Sequence, residues 1–202
     1  MKEELQKDFD NTIKNLNLSQ KDIEIKKFSL DNFLNKGFPN RKEEDWKFSD
    51  LNQIIKKNIG ELSFFNDYTS TNKVDTSVFV DGLEHNKIVF INGRIEKIDF
   101  NYEKKNQIEI IDRSETINKV SNNSLSDLNN AFTTKSFKIL VKNGYKLAKP
   151  LIVYHTTNSK IWSKNINLKL DFEIDKNSSL RVIDLFNDTS EKNFLNIFYN
   201  FD

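Results

Sequence analysis

The sequence contains no cysteine among its 202 residues. Disulfide bonds, thiolate metal ligands and cysteine nucleophiles are therefore excluded. Histidine is also scarce, because His85 and His155 are the only two and cannot form a metal-binding pair on one helix. There is no glycine-rich phosphate loop. The sequence therefore predicts a chain that binds no metal, nucleotide or other cofactor tightly by itself.

The sequence has little excess charge of either sign. Its 31 basic residues are balanced by 30 acidic ones, which leaves a formal net charge of +1. Only four of the basic residues are arginine, the side chain best suited to bidentate phosphate recognition. We therefore expect neither nucleic acid nor an anionic membrane surface as a partner.

Long hydrophobic runs are missing, and the polar, acidic N-terminus lacks the charge pattern of a signal peptide. We therefore expect no membrane span and a cytoplasmic location. Hydrophobic residues still make up 37% of the chain, which is enough to build a core at this length.

Two amphipathic helices are predicted at the start of the chain. The first carries apolar residues three and four positions apart, which are Leu5, Phe9, Ile13 and Leu16. The second is expected over residues 20–36, where Gly37 and Pro39 supply the stop signals. Because helices precede every predicted strand, the sequence indicates an α+β arrangement.

The sequence predicts a strand–turn–strand unit that is repeated within residues 137–201. Apolar and polar side chains alternate with a period of two, most clearly from Leu168 to Asp175, as a half-buried strand requires. The two turns at 141–144 and 175–178 lie 34 residues apart by their numbering, a period typical of stacked solenoid repeats. An antiparallel sandwich or meander would give the same alternation, so both interpretations stay open.

A third copy of the unit begins near the end of the sequence. Four alternate residues are expected to form its apolar face, and these are Leu195, Ile197, Tyr199 and Phe201. A repeat with no neighbour exposes apolar side chains and unpaired backbone groups. We therefore expect the chain to be a fragment, or its open C-terminal end to be covered by another chain or by the rest of the protein.

Three local signals lie between these segments. In the charged linker 37–51, Trp46 is expected to be mostly buried between the helices and a hairpin, and Ser49 to cap a short helix. Asn92 and Gly93 predict a tight hairpin turn. Ser124, with Asp127 three residues later, predicts the start of another helix.

His155 and Asp184 are the candidate pair for chemistry. Each lies on the same face of its predicted strand as apolar residues two positions away. Both could therefore face the interior and meet as a metal-binding or acid–base pair. The alternative is a hydrogen-bonded core histidine and an acid at a turn. Trp162 is interpreted as a cap on a strand edge, with a partner anchor as the alternative.

Four segments carry motifs in a fixed order, and these are residues 37–51, residues 90–94, residues 128–132, and the strands from Ile139 to Phe186. The residues that carry the motifs are Arg41, Glu44, Asp45, Trp46, Lys47, Asn92, Gly93, Asn129, Ala131, Phe132, Gly144 and Pro150. In this order they resemble the SufD family, the scaffold subunits of the SUF system for iron–sulfur cluster assembly.

The resemblance implies an α+β, mainly β fold in which a small N-terminal helical domain precedes the first rungs of a right-handed parallel β-helix. The chain is accordingly divided into three parts. Residues 1–58 are a helical region with its linker, and residues 59–135 contain strands, a hairpin and a short helix. Residues 136–202 are an incomplete β-helix.

The resemblance also implies a non-catalytic scaffold. SufD-like proteins pair with a SufB-like paralogue and bind a SufC-like ATPase through a C-terminal region that this sequence does not contain. The full complex carries the iron–sulfur cluster and depends on SufD for iron supply. No cluster ligand or ATPase-binding residue is carried over, because the family places them in that C-terminal part.

Two other functions stay open from the sequence. A β-helix enzyme acting on polysaccharide would need clustered carboxylates, and Asp171, Glu173 and Asp175 supply one such row. A purely structural solenoid that presents a surface to a partner is the third possibility.

Overall fold

A computed structural model describes residues 2–65, 76–113, 123–157, 161–187 and 192–202. The helices are α1 (Lys2–Lys14), α2 (Gln20–Lys36), α3 (Leu51–Asn58) and α4 (Ser124–Phe132), with short 3-10 turns at Glu44–Trp46 and Thr76–Val78. The strands are β1 (Asn86–Ile91), β2 (Arg94–Asp99), β3 (Ile108–Arg113), β4 (Ser136–Val141), β5 (Leu151–Thr156), β6 (Asn165–Ile174), β7 (Val182–Asn187) and β8 (Phe194–Phe201).

The four helices form a layer with its own apolar core. The predicted stripe of α1 points inward, because Leu5 and Phe9 are fully buried. The ring of Phe9 meets the edge of Phe132 on α4, with ring centroids 6.0 Å apart. Phe33 on α2 completes this core from the opposite side. The prediction of a helix over residues 20–36 is confirmed by α2.

Two predicted helix caps are shifted by one residue. The side chain that accepts from the first turn of α3 is Asp50, whose carboxylate receives the Gln53 N–H at 2.9 Å, and not Ser49. At α4 the cap is Asn123, which accepts the Leu125 N–H at 2.8 Å, and not Ser124. At both helices two adjacent residues are good N-caps, and the local sequence does not show which of the two accepts the hydrogen bond.

The strands form two four-stranded sheets, in the orders β2-β1-β5-β7 and β3-β4-β6-β8. In each sheet the first pair is antiparallel, and the remaining pairs are parallel. From β4 to β8 the chain alternates between the sheets, one strand at a time. The hairpin prediction is confirmed, since Asn92 and Gly93 join β1 to β2 with φ angles of 52° and 75°.

The prediction of a right-handed parallel β-helix is wrong. Both sheets are mixed, with one antiparallel pair each, and neither sheet closes on itself or continues into the other. The positions of the predicted strands are correct, but the period of two only tells which side chains face inward. The same alternation fits parallel and antiparallel neighbours, so it could not establish the arrangement.

The two sheets pack face to face around a second apolar core. Its centre comes from both sheets, with Phe90 and Val153 on one side and Phe137 and Phe172 on the other. The outer face of the second sheet lies under α4, which contacts β6 and β8. The protein is thus built from three layers, helices and two sheets. No helix within the described ranges is long and apolar enough to cross a membrane.

Candidate functional site

The structure brings the candidate residues His155 and Asp184 together. They lie on neighbouring strands β5 and β7, and His155 Nε2 is 2.8 Å from Asp184 Oδ1. A third group, which the sequence did not indicate, joins them from the opposite sheet, since the hydroxyl of Tyr199 on β8 lies 2.9 Å from the same nitrogen. We call His155, Asp184 and Tyr199 the inter-sheet triad.

The imidazole of the triad is held between two aromatic rings. Phe90 and Phe186 occupy the positions paired with His155 on the neighbouring strands. Their ring centroids lie 5.4 Å and 5.0 Å from that of His155, and the planes are nearly parallel. This stack fixes the imidazole plane and leaves its edge to make the polar contacts.

The triad lies at the boundary between core and solvent. The His155 side chain is only 2% exposed, whereas that of Asp184 is 27% exposed. The oxygen Asp184 Oδ1 is itself shielded from solvent. Burial, reinforced by the neighbouring Asp184 carboxylate, raises the pKa of Tyr199 above its ordinary value. The phenol is therefore protonated at neutral pH.

The chain contains a second histidine–tyrosine pair that provides an internal comparison. The Tyr154 hydroxyl lies 2.7 Å from His85 Nε2, close to the Tyr199 to His155 distance. Here, however, the outer contacts are backbone groups, since His85 Nδ1 meets the Leu83 carbonyl at 2.6 Å and the Val80 N–H donates to the Tyr154 hydroxyl at 3.1 Å. This pair is a hydrogen-bonded core network.

A second polar cluster lies between the helices and the outer face of β6. The ammonium of Lys26 on α2 donates to the carbonyls of Asn130 and Thr133 at 2.9 and 2.7 Å. Lys169 on β6 donates to the Asn130 side chain at 2.5 Å. Both lysines are almost fully buried. Burial, with a smaller contribution from Lys169, lowers the pKa of Lys26 to about 7.

The predicted row of carboxylates runs from a buried to an exposed position. Asp171 is buried beside Lys169, and burial raises its pKa although that lysine acts in the opposite direction. Glu173 is ion-paired with Lys138 on β4. Asp171 and Glu173 thus make contacts within the sheet, whereas Asp175 at the end of the row is exposed.

The motif residues of the charged linker lie mostly on the surface. Arg41, Glu44, Asp45 and Lys47 are exposed, and Glu44 and Lys47 form a solvated pair at 3.5 Å. As predicted, Trp46 is largely buried, but it packs against the helical core, which among the described residues contains none of the β1–β2 hairpin. The 3-10 turn at Glu44–Trp46 sets this position.

The other motif residues support turns and packing. Ala131 and Phe132 belong to the helical core, and the carbonyl of Pro150 accepts the Asn86 N–H at 2.9 Å. Gly144, at a φ of 72°, donates its N–H to the Lys176 carbonyl at 2.9 Å, which joins the two turns that the sequence placed 34 residues apart.

Asn129 is a buried motif residue whose side chain bonds to two strands. Its amide donates to the Leu168 carbonyl at 3.1 Å and to the Asn196 carbonyl at 2.7 Å. It thereby fixes α4 across β6 and β8.

Sequence reasoning missed Tyr199 and Lys26 for different reasons. Tyr199 was placed on an apolar face, and only the arrangement of the two sheets shows that this face meets His155. Lys26 did carry a signal, because it precedes Leu30 by four residues and so lies on the buried stripe of α2. The sequence as a whole matches no protein-family model and no curated protein.

Proposed function

We propose that this chain is a non-catalytic scaffold subunit in iron–sulfur cluster assembly, of the SufD type. In this role it works in the cytoplasm, pairs with a SufB-like paralogue, assembles with a SufC-like ATPase and supports iron supply to the nascent cluster. The support is the order of the four motifs and their structural roles at turns and in the helical core.

One feature of the structure favours pairing with another protein through strands. Among the described residues, β7 and β8 are the edge strands at the same end of the two sheets. Edge strands with unpaired backbone groups are templates for a strand from another chain. Phe186 and Phe201 lie on these strands and are 59% and 60% exposed. Exposed aromatic side chains at the edge of a sheet are typical of a surface that binds another protein.

The test is to mix the full-length protein with SufB-like and SufC-like subunits from the same organism, and to measure complex formation and ATPase rate. We expect a stable complex, and we expect Phe186→Glu and Phe201→Glu each to weaken association at least about tenfold, because a charge must be desolvated at the interface. Circular dichroism establishes that each variant is folded.

The matched control is Ile98→Glu, which places the same charge on β2, at the other edge of the first sheet, where Ile98 is also exposed. This variant should bind like the unmodified protein. Absence of any association with the unmodified chain would remove the proposal. Cleavage of a glycan by the isolated chain would establish an enzyme instead.

A further inference from the structure

The inter-sheet triad places a carboxylate oxygen and a phenol oxygen beside one imidazole nitrogen. His155 Nε2 carries at most one hydrogen, yet it lies within 3 Å of both the Asp184 carboxylate and the Tyr199 hydroxyl. Asp184 Oδ1 is buried without a hydrogen bond of good geometry. A buried carboxylate oxygen in this condition costs free energy unless a positive charge comes close to it.

The spacing of the three groups suits a shared cation. Nitrogen and oxygen ligands bind transition metals at about 2.0–2.2 Å, so two adjacent ligands at a right angle lie about 2.8–3.1 Å apart. The distances from His155 Nε2 to Asp184 Oδ1 and to the Tyr199 hydroxyl are 2.8 and 2.9 Å. The Asp184 side chain is 27% exposed, so the triad lies next to solvent although Oδ1 itself is shielded.

We propose that His155, Asp184 and Tyr199 form a binding site for ferric iron. Imidazole and carboxylate are ligands that iron accepts, and a phenolate oxygen is a hard, anionic donor that a trivalent ion favours over a divalent one. On binding, the Tyr199 phenol releases one proton to solvent as the oxygen–iron bond forms. His155 coordinates through Nε2 with its proton on Nδ1, and Asp184 coordinates as the carboxylate.

The site differs from the prediction that the chain binds no metal tightly by itself. That prediction rested on the absence of cysteine and of a histidine pair on one helix. The triad instead draws one residue from each of three strands in two sheets, which no sequence spacing reveals. The inference goes beyond the scaffold role and can fail separately, because metal binding is measured on the isolated chain and assembly on the mixture.

The experiment is a titration of the isolated 202-residue protein with ferric nitrilotriacetate. One equivalent should bind with the release of a proton and produce the visible charge-transfer absorption of an iron–phenolate bond. Tyr199→Phe keeps the ring but should abolish the absorption. Asp184→Asn should weaken the affinity at least tenfold. A parallel titration with zinc should show weaker binding and no visible band.

The matched control is Tyr154→Phe, which removes the hydroxyl of the other histidine–tyrosine pair and should leave the band and the affinity unchanged. Circular dichroism and the unfolding midpoint establish that each variant is folded. The inference is overturned if the unmodified protein shows no band, or if the band persists in Tyr199→Phe. Unchanged iron affinity in Asp184→Asn would overturn it independently of the tyrosine variant.

Discussion

Gly93 occupies a position that only glycine fits, for two separate reasons. Its φ is 75°, a left-handed conformation that costs other residues about 1–2 kcal/mol. A Cβ built there would also lie 2.9 Å from the Ile166 methyl, which is closer than packed atoms allow. Gly144 has nearly the same φ, 72°, but open space around it. A comparison of alanine substitutions at the two glycines therefore distinguishes the cost of backbone strain from the cost of steric crowding.

We expect Gly93→Ala to lower the free energy of unfolding by about 2–5 kcal/mol, the sum of strain and overpacking. Gly144→Ala should cost only the strain, about 1–2 kcal/mol. Urea denaturation of both variants measures the difference. Equal losses would mean that the Ile166 contact relaxes freely.

Lys26 gives the stability of the protein a specific dependence on pH. The pKa of Lys26 is lowered from 10.5 to about 7, chiefly by burial. Between these values the unfolded chain holds a proton on Lys26 that the folded protein has lost. Stability should therefore rise with pH across this window, by up to about 1.4 kcal/mol per pH unit, and level off below pH 7.

Lys26→Met should remove most of this slope between pH 7.5 and 9.5, as measured by urea denaturation at several pH values. Lys27→Met is the matched control, since Lys27 is the exposed neighbour on the same helix, and it should leave the slope unchanged. A slope that persists in Lys26→Met would mean that another buried group, such as Lys169, is responsible.

At the scale of elements, the contact between α4 and the second sheet depends on a side-chain amide. Asn129 links the helix to carbonyls on two different strands, and its own oxygen accepts from the Thr133 hydroxyl at 2.7 Å. Apolar packing alone would let the helix slide along the sheet, whereas these directional bonds define one position. The helical layer is thereby held in register with β6 and β8.

Asn129→Ala should destabilise the protein by about 2–4 kcal/mol, because it leaves the buried carbonyls of Leu168 and Asn196 without their side-chain donor. Amide hydrogen exchange in β8 should accelerate, since α4 covers this edge strand. Asn58→Ala, at an exposed asparagine that bonds only within α3, should change stability by less than about 0.5 kcal/mol. Equal effects of the two variants would contradict the proposed role of Asn129.

The elements were more predictable than their arrangement. Alternation located β4 to β8 and helical spacing located α2, because both patterns record which side chains are buried. The sheet order depends on pairings between distant segments, such as Ile139 with Phe172, and no local pattern encodes them. The candidate site shows the same division, since strand parity brought His155 and Asp184 to one face but could not supply Tyr199.

At the scale of the whole molecule, the order of the strands bears on how the protein is made. Every strand from β4 onward pairs with a strand that precedes it in the chain, β4 with β3, β5 with β1, β6 with β4, β7 with β5 and β8 with β6. A chain leaving the ribosome therefore offers each new strand a partner that has already been synthesised. Both sheets can grow outward in the order of translation, and the part already folded serves as the template for the strand that follows.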